Sequence, residues 1–291
     1  MSEGKGLTEG LVPAVVKEGD DVCIEMDAEM FRDLFELMTP LILTEVQVAI
    51  RNDGLYMKQM DESKTAMTEM FVPKTYFVEL KAGKRIKVLR LPVSDVKKAL
   101  TKLAHGDTVR FTVAKNGRLH VEIKGKRLRV FDFPLYEAEA IEKRTPKIPY
   151  RVRAKMELEG LLVAIEDAQR IFLKKGRSKK KEYYGGVQLV TTAMGISVTS
   201  KTEDGLYSAG TTLTSGWDIM RFEGGVGESV MIPVHLLAPV LKAVSKVTNM
   251  IQLEYTTDMP LHLIAELPFK GMRLEYWFAP RVLRTEEEVK E

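Results

Sequence analysis

The chain has little cysteine, little histidine and no long apolar run. A single cysteine, Cys23, among 291 residues excludes an intrachain disulfide and a cluster of thiolate metal ligands, and we expect it to be a small buried residue of the first strand. No apolar run approaches the roughly 20 residues that a membrane-spanning helix needs. Residues 1–20 lack the apolar centre of a signal peptide, so a cytosolic-type protein without membrane contact is expected.

Sequence motifs of catalysis are equally scarce. The glycines of residues 224–227 are not followed by the Lys-Ser/Thr of a phosphate-binding loop. The four histidines lack metal-ligand spacing; they are His105, His120, His235 and His262. These absences predict a protein that is not an enzyme and needs neither cofactor nor metal. Acidic residues are plentiful, so a pair of catalytic carboxylates brought together by folding stays open as an alternative.

Charge is unevenly distributed, although the net charge of +3 is too small for a polycation. Basic residues concentrate at Lys97, Lys98 and Lys102 and in segments 124–129 and 174–181. Acidic residues concentrate in segments 137–142 and 286–291. Such a chain can present one surface to phosphate groups and another to proteins.

The predicted elements repeat along the chain. Pro92 opens a helical pattern that Gly106 ends, and Pro233 opens a similar one; three strand patterns follow each helix. Those strands are predicted at 108–113, 119–123 and 128–133, and again at 250–255, 261–267 and 272–278. An earlier unit of each half is also related. It has a strand (22–26 or 151–156), a helix (27–38, with Asp27 as N-cap, or 159–172) and two strands (44–51 and 55–60, or 187–192 and 196–201).

The repeat predicts the α+β class, with two similar domains that each contain two copies of a strand-helix-strands unit. A Pro- and charge-rich stretch separates the halves. The predicted parts are an N-terminal extension (1–20), a first domain (21–135), a linker (136–149), a second domain (150–283) and an acidic tail (284–291).

Basic residues lie opposite the apolar stripes of the predicted helices. If all four helices lie on one face of the sheets, these residues form a surface that contacts phosphates of double-stranded DNA without reading the bases. The residues assigned to this DNA-facing surface are Arg32, Lys97, Lys98, Lys102, Arg170, Lys174, Lys175, Lys179, Lys242 and Lys246.

Three segments resemble the PCNA family of sliding clamps from archaea and eukaryotes. Residues 48–63 end in a Met-Asp-x-Ser turn, residues 257–261 contain Asp-x-Pro-Leu, and residues 276–281 end in Ala-Pro-Arg before an acidic tail. The resemblance covers about residues 21–288. It implies the DNA clamp fold in a trimeric ring, with helices on the inner face and sheets outside, which tethers replication proteins to DNA. An archaeal member would lie in the cytoplasm with the nucleoid, and a eukaryotic one in the nucleus.

The resemblance also implies a docking pocket for the short PCNA-interacting peptides of DNA polymerase, clamp loader, flap endonuclease and DNA ligase. An exposed Trp277 would be a plausible aromatic anchor there, although a tryptophan in a strand is more often part of the core. The pocket residues carried over by motif are Met60, Lys64, Thr65, Met67, Ile141, Pro260, Trp277, Ala279 and Pro280.

Protomers of this family pair their edge strands, which implies contact between residues 127–133 and residues 206–213 of the next subunit. The interface residues are then Arg127, Leu128, Arg129, Val130, Phe131, Leu206, Tyr207, Ser208 and Ala209. The extension 1–20 and the basic insertion 174–181 depart from the family pattern, so both a homotrimer and a mixed trimer stay open. Two other functions also stay open: a clamp-like subunit of a checkpoint or viral ring, and a DNA-acting enzyme such as a nuclease.

Overall fold

The computed structural model describes residues 22–83, 87–113, 117–135, 145–172, 185–201 and 208–281. Contacts within the chain divide it into two compact units. The first unit comprises Met1–Gln59 and Met70–Lys143, and the second comprises Met60–Glu69 and Arg144–Glu291. Most of the predicted linker, including Ile141, lies outside the described residues, so the linker boundaries stay a prediction.

The first unit is built from two helices and antiparallel strands. Its elements are β1 (Cys23–Asp27), α1 (Ala28–Met38), β2 (Glu45–Ile50), β3 (Gly54–Met60), β4 (Ala66–Pro73), β5 (Glu79–Lys81), β6 (Val88–Pro92), α2 (Val93–Ala99), β7 (Thr108–Val113), β8 (Arg118–Lys124) and β9 (Leu128–Pro134). One sheet has the order β5-β1-β7-β8-β9, and a second group has the order β4-β3-β2-β6. Residues 66–69 at the start of β4 belong to the second unit.

The second unit repeats this order of helices and strands. Its elements are β10 (Val152–Glu157), α3 (Leu158–Phe172), β11 (Gly186–Thr192), β12 (Gly195–Lys201), β13 (Ser208–Thr214), β14 (Ile219–Glu223), β15 (Ser229–Pro233), α4 (Val234–Val244), β16 (Met250–Tyr255), β17 (Leu261–Ala265) and β18 (Arg273–Phe278). Its strands form the groups β14-β10-β16-β17-β18 and β13-β12-β11-β15. The predicted α+β class and internal repeat are confirmed.

Each helix buries one apolar face in its own unit. On α1, Phe31 and Phe35 are buried, and the Phe31 ring packs 4.6 Å from that of Phe111 on β7. Burial of a side chain of this size stabilises the fold by about 1.5–3 kcal/mol. The Asp27 carboxylate accepts a hydrogen bond from the Met30 amide at 2.8 Å, which confirms the predicted N-cap.

The predicted helices and strands differ from those of the structure in two main respects. The helix predicted to reach Gly106 ends at Ala99, because Lys102 adopts the left-handed conformation (φ 56°) and Thr101 Oγ1 donates to the Lys98 carbonyl. Strands β4, β5, β6, β14 and β15 were not predicted. Of the helices in the described ranges, none is both long and apolar enough to cross a membrane.

Candidate functional site

The segments expected to form the peptide pocket meet within the second unit. The Ala279 amide, just after β18, donates to the Thr65 carbonyl at 2.7 Å. Leu261, which follows Pro260, lies opposite Phe278 in the β17–β18 ladder. The Met-Asp-x-Ser turn, the Asp-x-Pro-Leu turn and the Ala-Pro segment are therefore neighbours, although they are far apart in sequence.

A buried carboxylate holds the turn of residues 61–66 in one conformation. Asp61 accepts hydrogen bonds from the amides of Thr65 and Ala66, both at 2.7 Å, and from the hydroxyls of Ser63 and Thr65. Burial acts to raise the pKa of Asp61, but these donors together hold it below its usual value. Asp61 was not among the predicted site residues, although the Asp-x-Ser-x-Thr pattern is typical of such a turn.

The expectation of an exposed tryptophan is wrong. Trp277 is only 4% exposed, and its indole lies flat against the His262 imidazole, with ring centroids 4.5 Å apart. The Tyr150 ring also stacks with the imidazole, with ring centroids 5.7 Å apart, and its hydroxyl lies beside the Trp277 side chain. Sequence reasoning assigned neither Tyr150 nor His262 to the pocket, because only the β17–β18 register and the course of the chain before β10 bring them to Trp277.

The remaining pocket residues differ in exposure. Met67 is buried, and Lys64 is exposed with a left-handed backbone (φ 59°). Met60, Thr65, Pro260, Ala279 and Pro280 are half-buried.

Glu228 fastens the turn that precedes Pro260. Its carboxylate accepts from the Thr257 hydroxyl at 2.7 Å and the Thr257 amide at 2.9 Å, and from Arg151 Nη1 at 3.0 Å. The Thr257 hydroxyl, its amide and the Arg151 guanidinium hold the pKa of Glu228 at about 2. One acidic side chain thus connects the β16–β17 turn with the residue that follows Tyr150.

Several of the predicted DNA-facing residues form ion pairs with carboxylates. Arg32 pairs with Asp33 at 2.9 Å, Lys98 with Asp95 at 3.3 Å, Arg170 with Asp167 at 2.7 Å and Lys242 with Glu166 at 3.8 Å. Exposed pairs of this kind contribute only about 0–1 kcal/mol, so a phosphate can replace the carboxylate at little cost. Lys174, Lys175 and Lys179 lie outside the described residues.

The two strands assigned to the subunit interface both lie at sheet edges. Within the described residues, β9 pairs only with β8, and β13 pairs only with β12. Apolar side chains project from β9, where Leu128 is 60% exposed and Phe131 stacks with Phe133 at 6.2 Å. Arg129 instead turns back into its own unit and donates to the Thr101 carbonyl at 2.8 Å. Leu206 and Tyr207 lie outside the described residues.

The proteins that are similar to this chain in sequence are described as DNA polymerase sliding clamps. No protein-family model matches the chain. DNA polymerase sliding clamp 1 of Pyrobaculum aerophilum is 24% identical over 257 residues, which cover 88% of this chain and 96% of the relative. The DNA polymerase sliding clamp of Thermofilum pendens is 22% identical over 256 residues, covering 88% and 97% of the two chains.

The chain is similar to PCNA-type sliding clamps in fold and along most of its length. Its fold matches PCNA from Thermococcus kodakaraensis with a TM-score of 0.74 and 18% identity, covering 89% of this chain and 99% of the other. It matches A. fulgidus PCNA bound to the C-terminal region of FEN-1 with a TM-score of 0.71 and 18% identity, covering 91% and 100%. A chain of the PCNA2–PCNA3 complex from Sulfolobus tokodaii matches with a TM-score of 0.73 at 19% identity, covering 89% and 99%.

One cluster of potential metal ligands lies in the first unit. Among the described residues, ligand atoms of Cys23, Glu25 and Glu79 lie within 4.8 Å of one another. The Arg110 guanidinium already pairs with Glu79 at 3.2 Å and with Glu25 at 3.6 Å. Burial, and then the Glu79 carboxylate, raise the pKa of the Cys23 thiol to about 11. A protonated thiol beside a guanidinium is a poor ligand set, so the cluster is better described as an ion-pair network.

Proposed function

We propose that this protein is a DNA sliding clamp, a processivity factor that encircles duplex DNA and tethers polymerase, clamp loader, flap endonuclease and ligase to it. The observation that carries the proposal is the likeness to DNA polymerase sliding clamps over 88% of the chain, together with the doubled order of elements. No chemical step is required of the protein itself.

The closed ring would keep the protein on DNA because it encircles the duplex. A closed ring cannot leave DNA sideways, so weak and diffuse contacts between lysines and phosphates suffice and permit sliding. A partner bound to the ring is held near its template, which raises its effective concentration there. The exposed lysines of α2 and α4 fit this role because their present pairs with Asp95 and Glu166 are weak.

Ring closure would use the two edge strands. Within the described parts of the chain, β9 and β13 each have one side that pairs with no strand, and pairing of β9 of one protomer with β13 of the next would cover both edges. Because the two strands differ, the contact is head-to-tail, and repetition of such a contact closes a ring when the rotation fits.

Retention on DNA of two topologies tests the function directly. The protein, loaded by a clamp loader onto a nicked circular plasmid, should remain bound in high salt and should slide off once the plasmid is cut to a linear form. Equal retention on both forms would contradict encirclement. Metal-dependent cleavage of the plasmid by the pure protein would instead favour the enzyme alternative.

The peptide site is tested by a matched pair of tryptophan variants. A peptide from the C-terminal region of a FEN-1 nuclease is titrated by calorimetry into Trp277→Ala and into Trp217→Ala, whose tryptophan is 86% exposed in the β13–β14 turn. Loss of a central aromatic contact costs about 2 kcal/mol or more, so Trp277→Ala should lose most of the affinity and Trp217→Ala should keep it.

Because Trp277 is buried, its removal also lowers stability by about 3–5 kcal/mol, and folding is therefore checked by thermal melting. Met60→Lys alters the half-buried rim without opening the core, and it should also weaken binding. Equal affinity of all variants in intact rings would place the docking site elsewhere and favour a clamp-like subunit with another partner surface.

A further inference from the structure

The candidate peptide pocket is closed, because a side chain of the chain itself covers its aromatic floor. Arg153, Glu254, His262 and Trp277 lie side by side across β10, β16, β17 and β18. Their neighbours in the same strands, among them Ala154, Leu253 and Tyr276, are buried. Since side chains of a strand alternate between faces, the row with Trp277 lies on the opposite face and needs a cover of its own.

The His262 ring is held in a fixed plane. Its Nδ1 lies 2.9 Å from a Glu254 oxygen and its Nε2 lies 3.0 Å from a Glu275 oxygen. Arg153 Nε in turn lies 3.2 Å from Glu254. Because both ring nitrogens are bonded, the imidazole cannot turn, and its flat surface stacks with both Trp277 and Tyr150.

Tyr150 covers this flat surface. Its ring stabilises the closed position, whereas its hydroxyl destabilises it. Its ring gains stacking with His262, although at 5.7 Å and 25° the stack is looser than the 4.5 Å and 7° of His262 with Trp277. Its hydroxyl oxygen is buried beside the Trp277 side chain, and among the described residues no group makes a well-aligned hydrogen bond with it. A buried hydroxyl without a partner is destabilising, and it regains water when the ring swings out.

We propose that Tyr150 is a lid that occupies an aromatic subsite over His262 and Trp277, and that an aromatic side chain of the partner peptide displaces it and takes its place. The subsite already holds the six-membered ring of Tyr150 against a fixed imidazole. The peptide side chain that replaces Tyr150 should therefore also be aromatic. The proposal rests on the proposed function, since it concerns the same peptide site. It makes His262 a specificity residue for the aromatic anchor.

Two substitutions of Tyr150 change the stability of the closed state in opposite directions. Tyr150→Phe keeps the stack and removes the unpartnered hydroxyl, so it should raise the melting temperature and weaken binding of the FEN-1 peptide several-fold. Tyr150→Ala removes the competing ring, and the apparent affinity should rise by the factor by which the lid favoured the closed state, about tenfold if it was closed nine-tenths of the time.

The position of the lid is read independently by fluorescence. The chain has two tryptophans, so Trp217→Phe leaves Trp277 as the single reporter. Acrylamide should quench Trp277 weakly in this background, more strongly after Tyr150→Ala, and no more strongly after Tyr150→Phe. Addition of the peptide to the Tyr150→Ala variant should restore the protection.

The outcomes separate the lid from the site. If the wild type binds the peptide and Tyr150→Ala binds it equally well or more weakly, the lid is overturned but the docking site stays in place. Tighter binding by Tyr150→Phe would also overturn it, and this variant retains the ring that the fold needs. Absence of peptide binding by every variant would overturn the proposed docking function and the lid with it.

Discussion

The two units share one order of elements, but the edge strand that each exposes carries a different kind of side chain. β9 of the first unit presents Leu128, Phe131 and Phe133, whereas β13 of the second presents Ala209, Gly210 and Thr211. The corresponding inner strands are alike: in β7 and β16, Val109 and Phe111, or Ile251 and Leu253, alternate with more exposed residues.

The difference indicates where each part of the sequence is constrained. A strand with one buried face must keep its alternation, because a slip of one residue would turn every apolar side chain to the solvent. The side chains of an edge strand are not held to such a pattern by their own unit, so the sequence of an edge strand can diverge. Bulky residues on one edge and small ones on the other are complementary, which favours head-to-tail association over pairing of like edges.

Loss of assembly is the largest effect we expect. Successive residues of β9 direct their amides alternately toward β8 and toward the free edge, so Val130→Pro and Phe131→Pro each remove one kind of donor. The variant that loses the edge-facing amide should become monomeric in light scattering while the first unit still melts cooperatively. Val130→Thr keeps the amide and serves as the control. A trimer mass in both proline variants would rule out this interface.

A smaller effect is expected from enlarging the other edge. A Cβ at Gly210 would meet only Thr199 Cγ2, at 3.6 Å, so Gly210→Leu fits within its own unit. It would crowd bulky residues arriving from β9, and overpacking of this kind costs about 1–3 kcal/mol. Sedimentation should show a raised dissociation constant of the assembly. Arg221→Leu adds the same side chain to β14 and should have no effect; weakening by both would show that added apolar surface alone is responsible.

The strands that could be predicted are those with clear alternation. The predictions for 108–113 and 250–255 coincide with β7 and β16. β6 and β15 were missed because each runs directly into a helix at Pro92 or Pro233, so no turn residues mark the end of the strand. The prolines were correctly assigned to helix starts, and the four strand residues before each of them were left out.

The site was predictable only as far as its motifs are local. The Met-Asp-x-Ser, Asp-x-Pro-Leu and Ala-Pro-Arg segments were located by sequence, and the structure brings them together in the second unit. A tryptophan in a strand is more often part of the core, but the groups that bury Trp277 could not be predicted, because they depend on a side chain from before β10 and on the register between β17 and β18. No short sequence pattern connects Tyr150 with either strand.

The two units can also be compared in the lysines that their helices offer to DNA. α2 has seven residues with Lys97 and Lys98, and α4 has eleven with Lys242 near its end. Each phosphate contact contributes about 0.9 to the slope of log affinity against log salt concentration. Neutralising Lys97, Lys98 and Lys102 to glutamine should therefore lower the slope by at most about 3, and neutralising Lys242 and Lys246 by at most about 2. Unchanged slopes in fluorescence anisotropy with duplexes of different sequence would place these lysines away from DNA.

The smallest effect concerns the pH dependence that Glu228 gives to the second unit. Its pKa is about 2 in the folded protein against an ordinary value of 4.5, so the carboxylate stabilises the fold fully above about pH 4.5. This contribution is lost as the pH falls from about 4.5 toward 2. Glu228→Gln should therefore melt at a lower temperature than the wild type at neutral pH, and the difference should shrink across that window. Glu223→Gln is the matched control, because Glu223 is paired with Arg221 on the exposed edge strand β14. Melting curves of Glu228→Gln and wild type that stay parallel from pH 7 to pH 2 would show that Glu228 does not fasten the Thr257 turn.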